Sequence, residues 1–252
     1  MAGKRREPRG WAVITAAVIL KPPLLAFISR EWIDLHKIPK TGGCVVVFNH
    51  VSYLDPLTSA HLIDAAGRTP RYLAKSGLFE NRLLGGFLKA AGQIPVARMS
   101  ADAVGAFAAG VQGIHDGKAI IIYPEGTITR DPEGWPMRGK SGAARIALET
   151  GCPVIPVGQW GPQEVLPAYT KKPLLFPRKT VHLKVGDPVD LSDLLAQEHS
   201  NAVVLQATDR IMAALTRLVE DLRGEKAPEK RFDPRTAGVQ ETGNPKKKKG
   251  ST

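Results

Sequence analysis

The chain has 252 residues, of which 43% are hydrophobic, so it is long enough for one large domain with a substantial core. Its formal net charge is +11, but aromatic residues make up only 6% of the composition. Because no basic stripe is interleaved with stacking aromatic residues, this composition argues against nucleic-acid binding. Both cysteines, Cys44 and Cys152, lie beside apolar runs. They are predicted to be small core residues in a reducing compartment, not a disulfide, a metal site or a pair of nucleophiles.

The positive charge is concentrated at the two ends of the chain. Residues 1–10 carry a net charge of +3 and residues 224–252 carry +4, which leaves only +4 on the body between them. Basic ends around a weakly charged body fit an anionic surface. With nucleic acid disfavoured, a phospholipid membrane is the predicted partner.

The N-terminal segment opens with an apolar run, WAVITAAVIL, over residues 11–20. A signal peptide begins in the same way, but Lys21, Pro22 and Pro23 interrupt this run before any clear cleavage site. The run is about half of the roughly 20 apolar residues that span a bilayer. Apolar residues resume over 24–32, so we predict two short helices, broken at the prolines, that lie in or dip into one leaflet. The alternative is an N-terminal helix packed on the domain's own core.

From residue 43 onward, short β-rich runs alternate with helical patterns. The predicted strands cover residues 43–50, 71–76, 94–98, 119–126, 153–160 and 180–189. The predicted helices cover residues 56–67, 78–92, 101–117, 141–151 and 200–224, with a polar loop over 127–139. This alternation predicts a single α/β domain with a mixed, largely parallel sheet covered by helices on both sides.

Three regions follow from this pattern. Residues 1–32 form the basic and apolar segment with the predicted membrane-associating helices, and residues 33–223 form the α/β domain. Beyond these, residues 224–252 are rich in Lys, Pro, Glu and Gly, and we expect a disordered basic tail.

The segment FNHVSYLDP places four polar side chains after a buried strand, at the edge where α/β sheets carry their sites: Asn49, His50, Ser52 and Asp55. Five residues advance an ideal helix by about 500°, so His50 and Asp55 could not share one helical face. A turn between them can bring the carboxylate onto the imidazole. One ring nitrogen is then fixed, and the other can take a proton from a substrate hydroxyl.

Structural roles would also explain these residues. Asp55 directly precedes Pro56 and fits a helix N-cap, while His50 could be a hydrogen-bonded structural residue. Capping and orienting the imidazole are compatible because a carboxylate has several acceptor sites. Ser52 is disfavoured as a nucleophile because no glycine-flanked elbow surrounds it.

Three further segments end at the same edge of the predicted sheet. IIIYPEGTITRD presents Glu125, Gly126, Thr127 and Arg130, which offer close backbone approach, a hydroxyl and a planar donor fork suited to phosphate. Arg98 ends the short strand after Gly92 and is another candidate phosphate contact. The alternatives are an ion pair between Glu125 and an arginine, and a solvated charge at Arg98. The segment CPVIPVGQW is chiefly apolar and is predicted to be core or a wall for an acyl chain.

Together the four segments resemble the lysophospholipid acyltransferase family, which includes the 1-acylglycerol-3-phosphate acyltransferases. The family's blocks occur in its order and spacing: Asn-His-x-Ser-x-x-Asp at residues 49–55, a glycine, apolar stretch and arginine at 92–98, Pro-Glu-Gly-Thr at 124–127 and Val-Ile-Pro-Val at 154–157. The resemblance covers roughly residues 10–220, and four blocks in order are far more specific than one.

The resemblance implies that His50, held by Asp55, deprotonates the acceptor hydroxyl, which then attacks the thioester of acyl-CoA or acyl carrier protein. It implies no cofactor, no metal and no acyl-enzyme intermediate. Asn49 and Ser52 are expected to contribute to substrate binding, and the resemblance nominates Arg98, Glu125, Gly126 and Thr127 to hold the phosphate of a lysophospholipid acceptor. Arg130 stays a further substrate-binding candidate because of its planar donor fork. The expected location is the cytoplasmic face of the cell membrane, as a peripheral or monotopic protein.

One position departs from the family pattern. Members often continue the third block with arginine directly after threonine, whereas this chain has Ile128 there and the arginine at Arg130. If Arg130 does not reach the same phosphate, the acceptor carries a different headgroup. The alternatives are therefore an acyltransferase of the same fold with a glycolipid or aminolipid acceptor, and a non-catalytic lipid-binding protein.

Overall fold

A computed structural model describes residues 7–96, 102–241 and 244–245. The strands in these residues are β1 (Ile28–Ile33), β2 (Cys44–Phe48), β3 (Arg71–Lys75), β4 (Ile94–Val96), β5 (Ala119–Ile122), β6 (Val154–Trp160) and β7 (Lys179–Val185). The helices are α1 (Trp11–Phe27), α2 (Asp55–Ala65), α3 (Arg82–Ala90), α4 (Asp102–His115), α5 (Gly142–Thr150), α6 (Pro162–Val165), α7 (Ser192–Leu195) and α8 (Asn201–Arg223). Short 3₁₀ turns occur at Leu35–Lys37 and Ser76–Phe79.

The seven strands form one mixed sheet in the order β1-β7-β6-β2-β5-β3-β4. Strands β6 and β7 are antiparallel, and every other neighbouring pair is parallel. Parallel neighbours need crossover connections, and helices supply most of them. This confirms the predicted α/β domain with a largely parallel, mixed sheet.

The central strand β2 is buried on both faces, which explains its uninterrupted apolar sequence. Val45 and Val47 pack into a core formed with α5 and α8. Cys44, Val46 and Phe48 point the other way, into a second core that includes side chains of α2. Because successive side chains of a strand face opposite sides, the two cores place helices on both sides of the sheet.

The N-terminal segment differs from the prediction of two helices broken at the prolines. Helix α1 runs through Pro22 and Pro23, and residues 28–33 then form β1, which pairs in parallel with β7. The first residue of this helix packs on the domain: the Trp11 ring meets Phe87 of α3 edge-on, with ring centroids 6.0 Å apart. Among the described residues, no helix combines the length and the hydropathy that crossing a membrane requires.

Part of the predicted disordered tail is also ordered on the body. Residues 225–241 follow an irregular path along the loop that carries Arg138. The Arg138 amide donates to the Phe232 carbonyl at 2.9 Å, and its guanidinium lies 3.0 Å from the Asp233 carboxylate. These contacts hold a segment whose composition alone predicts disorder.

Candidate active site

The candidate site lies where β2, β5 and β6 end. These strands are adjacent and parallel, so their carboxyl ends meet at one edge of the sheet. The polar segment after β2 therefore faces the turn after β5 and the end of β6. A cleft of about 770 Å³ lies elsewhere: residues 184–190 and α8 line it beside the amino-terminal half of β6.

A tight turn between β2 and α2 brings the predicted pair together. Asp55 Oδ2 lies 2.7 Å from Nδ1 of His50. The same oxygen accepts the backbone N–H groups of Val51 at 2.6 Å and Ser52 at 2.9 Å. Asp55 therefore fastens the turn that precedes it while it orients the imidazole. The alternative of an ordinary N-cap is not what the structure shows, because these donors lie before the helix.

Burial dominates the electrostatics of the pair. It raises the pKa of the Asp55 carboxyl, while the His50 ring and the two backbone donors act in the opposite direction. The His50 side chain keeps 15% of its surface exposed. Its Nε2 has no hydrogen-bond partner among the described residues, and the Tyr123 ring lies 4.5 Å away, tilted by 31°. One ring nitrogen is thus fixed and the other is open to a ligand.

The other two polar residues of this segment are turned into the protein. Asn49 is fully buried, and its side chain exchanges hydrogen bonds of 2.8 and 3.0 Å with the backbone of Gln159 at the end of β6. The Ser52 hydroxyl donates to the Leu166 carbonyl at 2.6 Å and accepts the Leu54 amide at 3.0 Å. In this structure both side chains are committed to protein partners and position the turn, and their contribution to substrate binding stays a prediction.

Glu125 fixes the main chain of His50. Its side chain is buried, Oε1 accepts the His50 amide at 2.8 Å and Oε2 accepts the Met137 amide at 3.0 Å. It is held by backbone donors, not by the ion pair with an arginine that the sequence left open. Burial raises the pKa of Glu125 to about 8, while the hydrogen bonds from the Met137 and His50 amides act in the opposite direction.

The remaining predicted residues are only partly brought together. Gly126 is exposed beside Glu125, with φ of +71°, and Thr127 is half-buried next to it. Arg130 is 8% exposed; its guanidinium stacks on the Tyr169 ring at 4.6 Å, and its Nε donates to the Gln240 carbonyl. Arg130 is therefore turned towards the C-terminal segment. Arg98 lies outside the described residues.

Three residues of this region were not predicted. Tyr123 packs against the imidazole, Gln159 locks Asn49, and the side chain of Lys140 lies across Gly126. Tyr123 directly precedes the Pro-Glu-Gly-Thr block, which could have suggested it. Lys140 follows the block by thirteen positions, and only the folded loop brings it back. Among the described residues, no group of three or more metal-type ligands is found.

This arrangement, a partly exposed imidazole fixed by a buried carboxylate at the edge of an α/β sheet, suits proton abstraction from a bound hydroxyl. Residues 30–160 match the acyltransferase family, and the chain belongs to that family.

Several known proteins are similar to this chain in sequence or in fold. The chain is 29% identical over 181 residues to the chloroplastic 1-acyl-sn-glycerol-3-phosphate acyltransferase BAT2 of Brassica napus, covering 70% of this chain and 50% of that one. It is 27% identical over 180 residues to the 1-acyl-sn-glycerol-3-phosphate acyltransferase of Bacillus subtilis, covering 69% of this chain and 82% of that one. The chain thus spans only about half the length of the plant relative.

A solved structure supports the fold. The crystal structure of the 1-acyl-sn-glycerophosphate acyltransferase PlsC from Thermotoga maritima superposes with a TM-score of 0.61 at 22% identity. The match covers 86% of this chain and 81% of the other. At this identity the likeness establishes a shared α/β architecture.

Proposed function

We propose that this protein transfers a fatty acyl group from a thioester donor to the free hydroxyl of 1-acylglycerol 3-phosphate, giving phosphatidic acid. The observation that carries the proposal is the 2.7 Å contact between His50 Nδ1 and Asp55 Oδ2, with Nε2 left open. The names of the plant and Bacillus relatives supply the acceptor and the type of reaction.

The proposed reaction needs one base and no metal. Nε2 of His50 removes the proton of the acceptor hydroxyl as its oxygen attacks the thioester carbonyl and a C–O bond forms. Asp55 stabilises the imidazolium that results. The tetrahedral intermediate collapses, the C–S bond breaks, and the thiolate leaves with the proton returned by His50. The products are an ester and a free thiol.

Direct transfer to the acceptor, without an acyl-enzyme intermediate, agrees with the state of the two cysteine thiols and of the Ser52 hydroxyl. Burial raises the pKa of Cys44 to about 11 and also raises the pKa of Cys152, so neither thiol is ionised at neutral pH. The Ser52 hydroxyl is held between two backbone groups. The acyl donor in this proposal is acyl-CoA or acyl carrier protein.

The test is acyl transfer by the purified chain, with labelled acyl-CoA and acyl carrier protein offered separately to a panel of acceptors. We expect labelled phosphatidic acid from 1-acylglycerol 3-phosphate. Product formed only from a phosphate-free lipid would replace this acceptor with a glycolipid or aminolipid, and inactivity on every pair would favour a lipid-binding protein. His50→Ala run in parallel shows whether any product depends on the site.

We also propose that the protein works as a peripheral or monotopic protein on the cytoplasmic face of the cell membrane. Helix α1 leaves a row of large apolar side chains exposed, and α3 packs beside it. At the other end of α1, Phe27 contacts Phe176 of the loop before β7, with ring centroids 6.1 Å apart. The exposed apolar residues of this surface are Trp11, Ile14, Val18, Ile19, Leu20, Leu83, Leu84, Leu174 and Phe176.

The surroundings of this apolar surface suit anionic lipid. Exposed basic side chains flank it, Arg82 and Lys89 on α3 and Lys171 and Lys172 in the loop. An apolar face with a basic rim binds the interface of an anionic bilayer through both buried area and charge.

Placing glutamates on α1 tests this surface. We expect Val18→Glu combined with Ile19→Glu to weaken binding to vesicles of phosphatidylcholine and phosphatidylglycerol by about tenfold or more, because apolar burial is lost and repulsion is added. Both side chains are more than 60% exposed, so the fold should be kept. Leu195→Glu, an exposed leucine on α7, is the matched control. Undiminished vesicle binding in cosedimentation would move the contact to the basic tail or the body.

A further inference from the structure

We propose that Lys140 binds the phosphate group of the acceptor and supplies the cation that the third sequence block lacks. This inference rests on the proposed function for the identity of the acceptor. It assigns a binding role to a residue that lies outside all four blocks.

The two positions expected to provide this cation do not do so. Ile128, which takes the place of arginine after the Pro-Glu-Gly-Thr block, is 1% exposed and belongs to the core. Arg130 is buried, with its guanidinium over the Tyr169 ring and its Nε bound to the Gln240 carbonyl. Neither of these two positions therefore offers a free cation beside Gly126, and Arg98, the other predicted phosphate contact, lies outside the described residues.

The loop after β5 folds back on itself and brings Lys140 next to Gly126. Its amide donates to the Pro124 carbonyl at 2.8 Å, which ties its main chain to the block. Its side chain then crosses Gly126: a Cβ added to that glycine would lie 3.1 Å from Nζ, Cε and Cδ of Lys140. Glycine at this position thus leaves room for the lysine stem, as well as adopting φ of +71°.

The charge of Lys140 is available to a ligand. The side chain is exposed, and no carboxylate lies within 4.0 Å of its ammonium among the described residues. The neighbouring cation of Arg138, by contrast, is paired with the Asp233 carboxylate. Glu125, the acid next to Gly126, directs both oxygens at backbone amides. An ammonium group with three free donors is a suitable phosphate ligand.

Gly139, Lys140 and Ser141 line a cavity of about 280 Å³ whose wall also carries the acids Glu125, Asp233 and Glu241. Two of these acids are engaged elsewhere, since Asp233 pairs with Arg138 and Arg235, and Glu125 accepts two backbone amides. Glu125 also accepts the His50 amide, so one buried side chain lines this cavity and holds the main chain of His50. A phosphate held at Lys140 would place the rest of a lysophospholipid on the side of the sheet edge that carries His50.

The kinetic test compares Lys140→Ala and Lys140→Arg with Lys118→Ala, a lysine that precedes β5 at the opposite edge of the sheet. For Lys140→Ala we expect KM for 1-acylglycerol 3-phosphate to rise about 10- to 100-fold, as loss of a charge-assisted hydrogen bond predicts, with kcat changed much less. Lys140→Arg should recover much of this loss, and Lys118→Ala should match the wild type. Acyl-CoA also carries phosphates, so an increase confined to its KM would assign Lys140 to the donor and overturn the proposal.

A binding measurement separates this inference from the proposed reaction. We expect glycerol 3-phosphate to bind the wild type and His50→Ala equally in isothermal titration calorimetry, and Lys140→Ala to bind it at least about tenfold more weakly. Equal binding by Lys140→Ala, or no binding by the wild type, contradicts the role of Lys140. Lysine-dependent binding by a protein without transferase activity would uphold that role and contradict the proposed function.

Discussion

Replacing His50 with alanine is expected to lower the turnover of acyl transfer at least about 100-fold, the usual reach of a general base. At this edge of the sheet, the imidazole is fixed by a buried acid and is open at its second nitrogen among the described residues. The fold should survive, because the main-chain bonds from His50 to Glu125 and Thr129 do not involve the ring.

The measurement is kcat for labelled acyl transfer, together with circular dichroism and the melting temperature of each variant. His199→Ala removes an exposed histidine before α8 and serves as the control. A His50→Ala variant that keeps nearly the wild-type kcat would exclude the role of general base. A variant that loses both activity and its melting transition would call for His50→Gln, which preserves more of the side-chain volume.

Asp55→Asn should also lower turnover by about 100-fold or more, since the negative charge that stabilises the imidazolium is removed. The hydrogen bonds around Asp55 explain why this substitution tests the charge of the side chain. All three donors meet at Oδ2, whereas Oδ1 is buried without a hydrogen-bond partner among the described residues. An asparagine can therefore place its oxygen at Oδ2 and its amide at Oδ1, so the turn is kept while the charge is lost.

Steady-state kinetics with the same donor and acceptor distinguish a catalytic role of Asp55 from a purely structural one. Asp116→Asn removes an exposed acid that pairs with Lys118, far from the site, and should leave kcat unchanged. Activity retained in Asp55→Asn would show that the carboxylate only holds the turn in place. Activity lost with an unchanged melting temperature would assign it to the chemistry.

The strands and helices of the domain were predictable because their signals are local. The run CVVVF and its neighbours are apolar for as long as one strand, and α8 has an amphipathic pattern between Ser200, which accepts the Val203 amide, and Gly224. The strand β1 was missed for the opposite reason. Its partner β7 lies about 150 residues away, and the sequence ISREWI continues an apolar run that resembles a helix.

The candidate site could be predicted from the sequence to about the same extent as the fold. The pairing of His50 with Asp55 followed from the need for a turn between them, and the turn is present. The direction of a side chain was not predictable: Asn49, Ser52 and Arg130 are polar residues at the correct edge, yet each points into the protein. Lys140 is the converse case, because its place depends on how a loop of thirteen residues returns to Gly126.

The most direct test of the central claim is a crystal structure of the protein with 1-acylglycerol 3-phosphate bound in the absence of a donor. We expect the free hydroxyl oxygen of the lipid to lie about 2.6–3.2 Å from Nε2 of His50, with Nδ1 still on Asp55. A lipid whose hydroxyl is held elsewhere, while Nε2 faces a protein group, would contradict the assignment of His50 as the base.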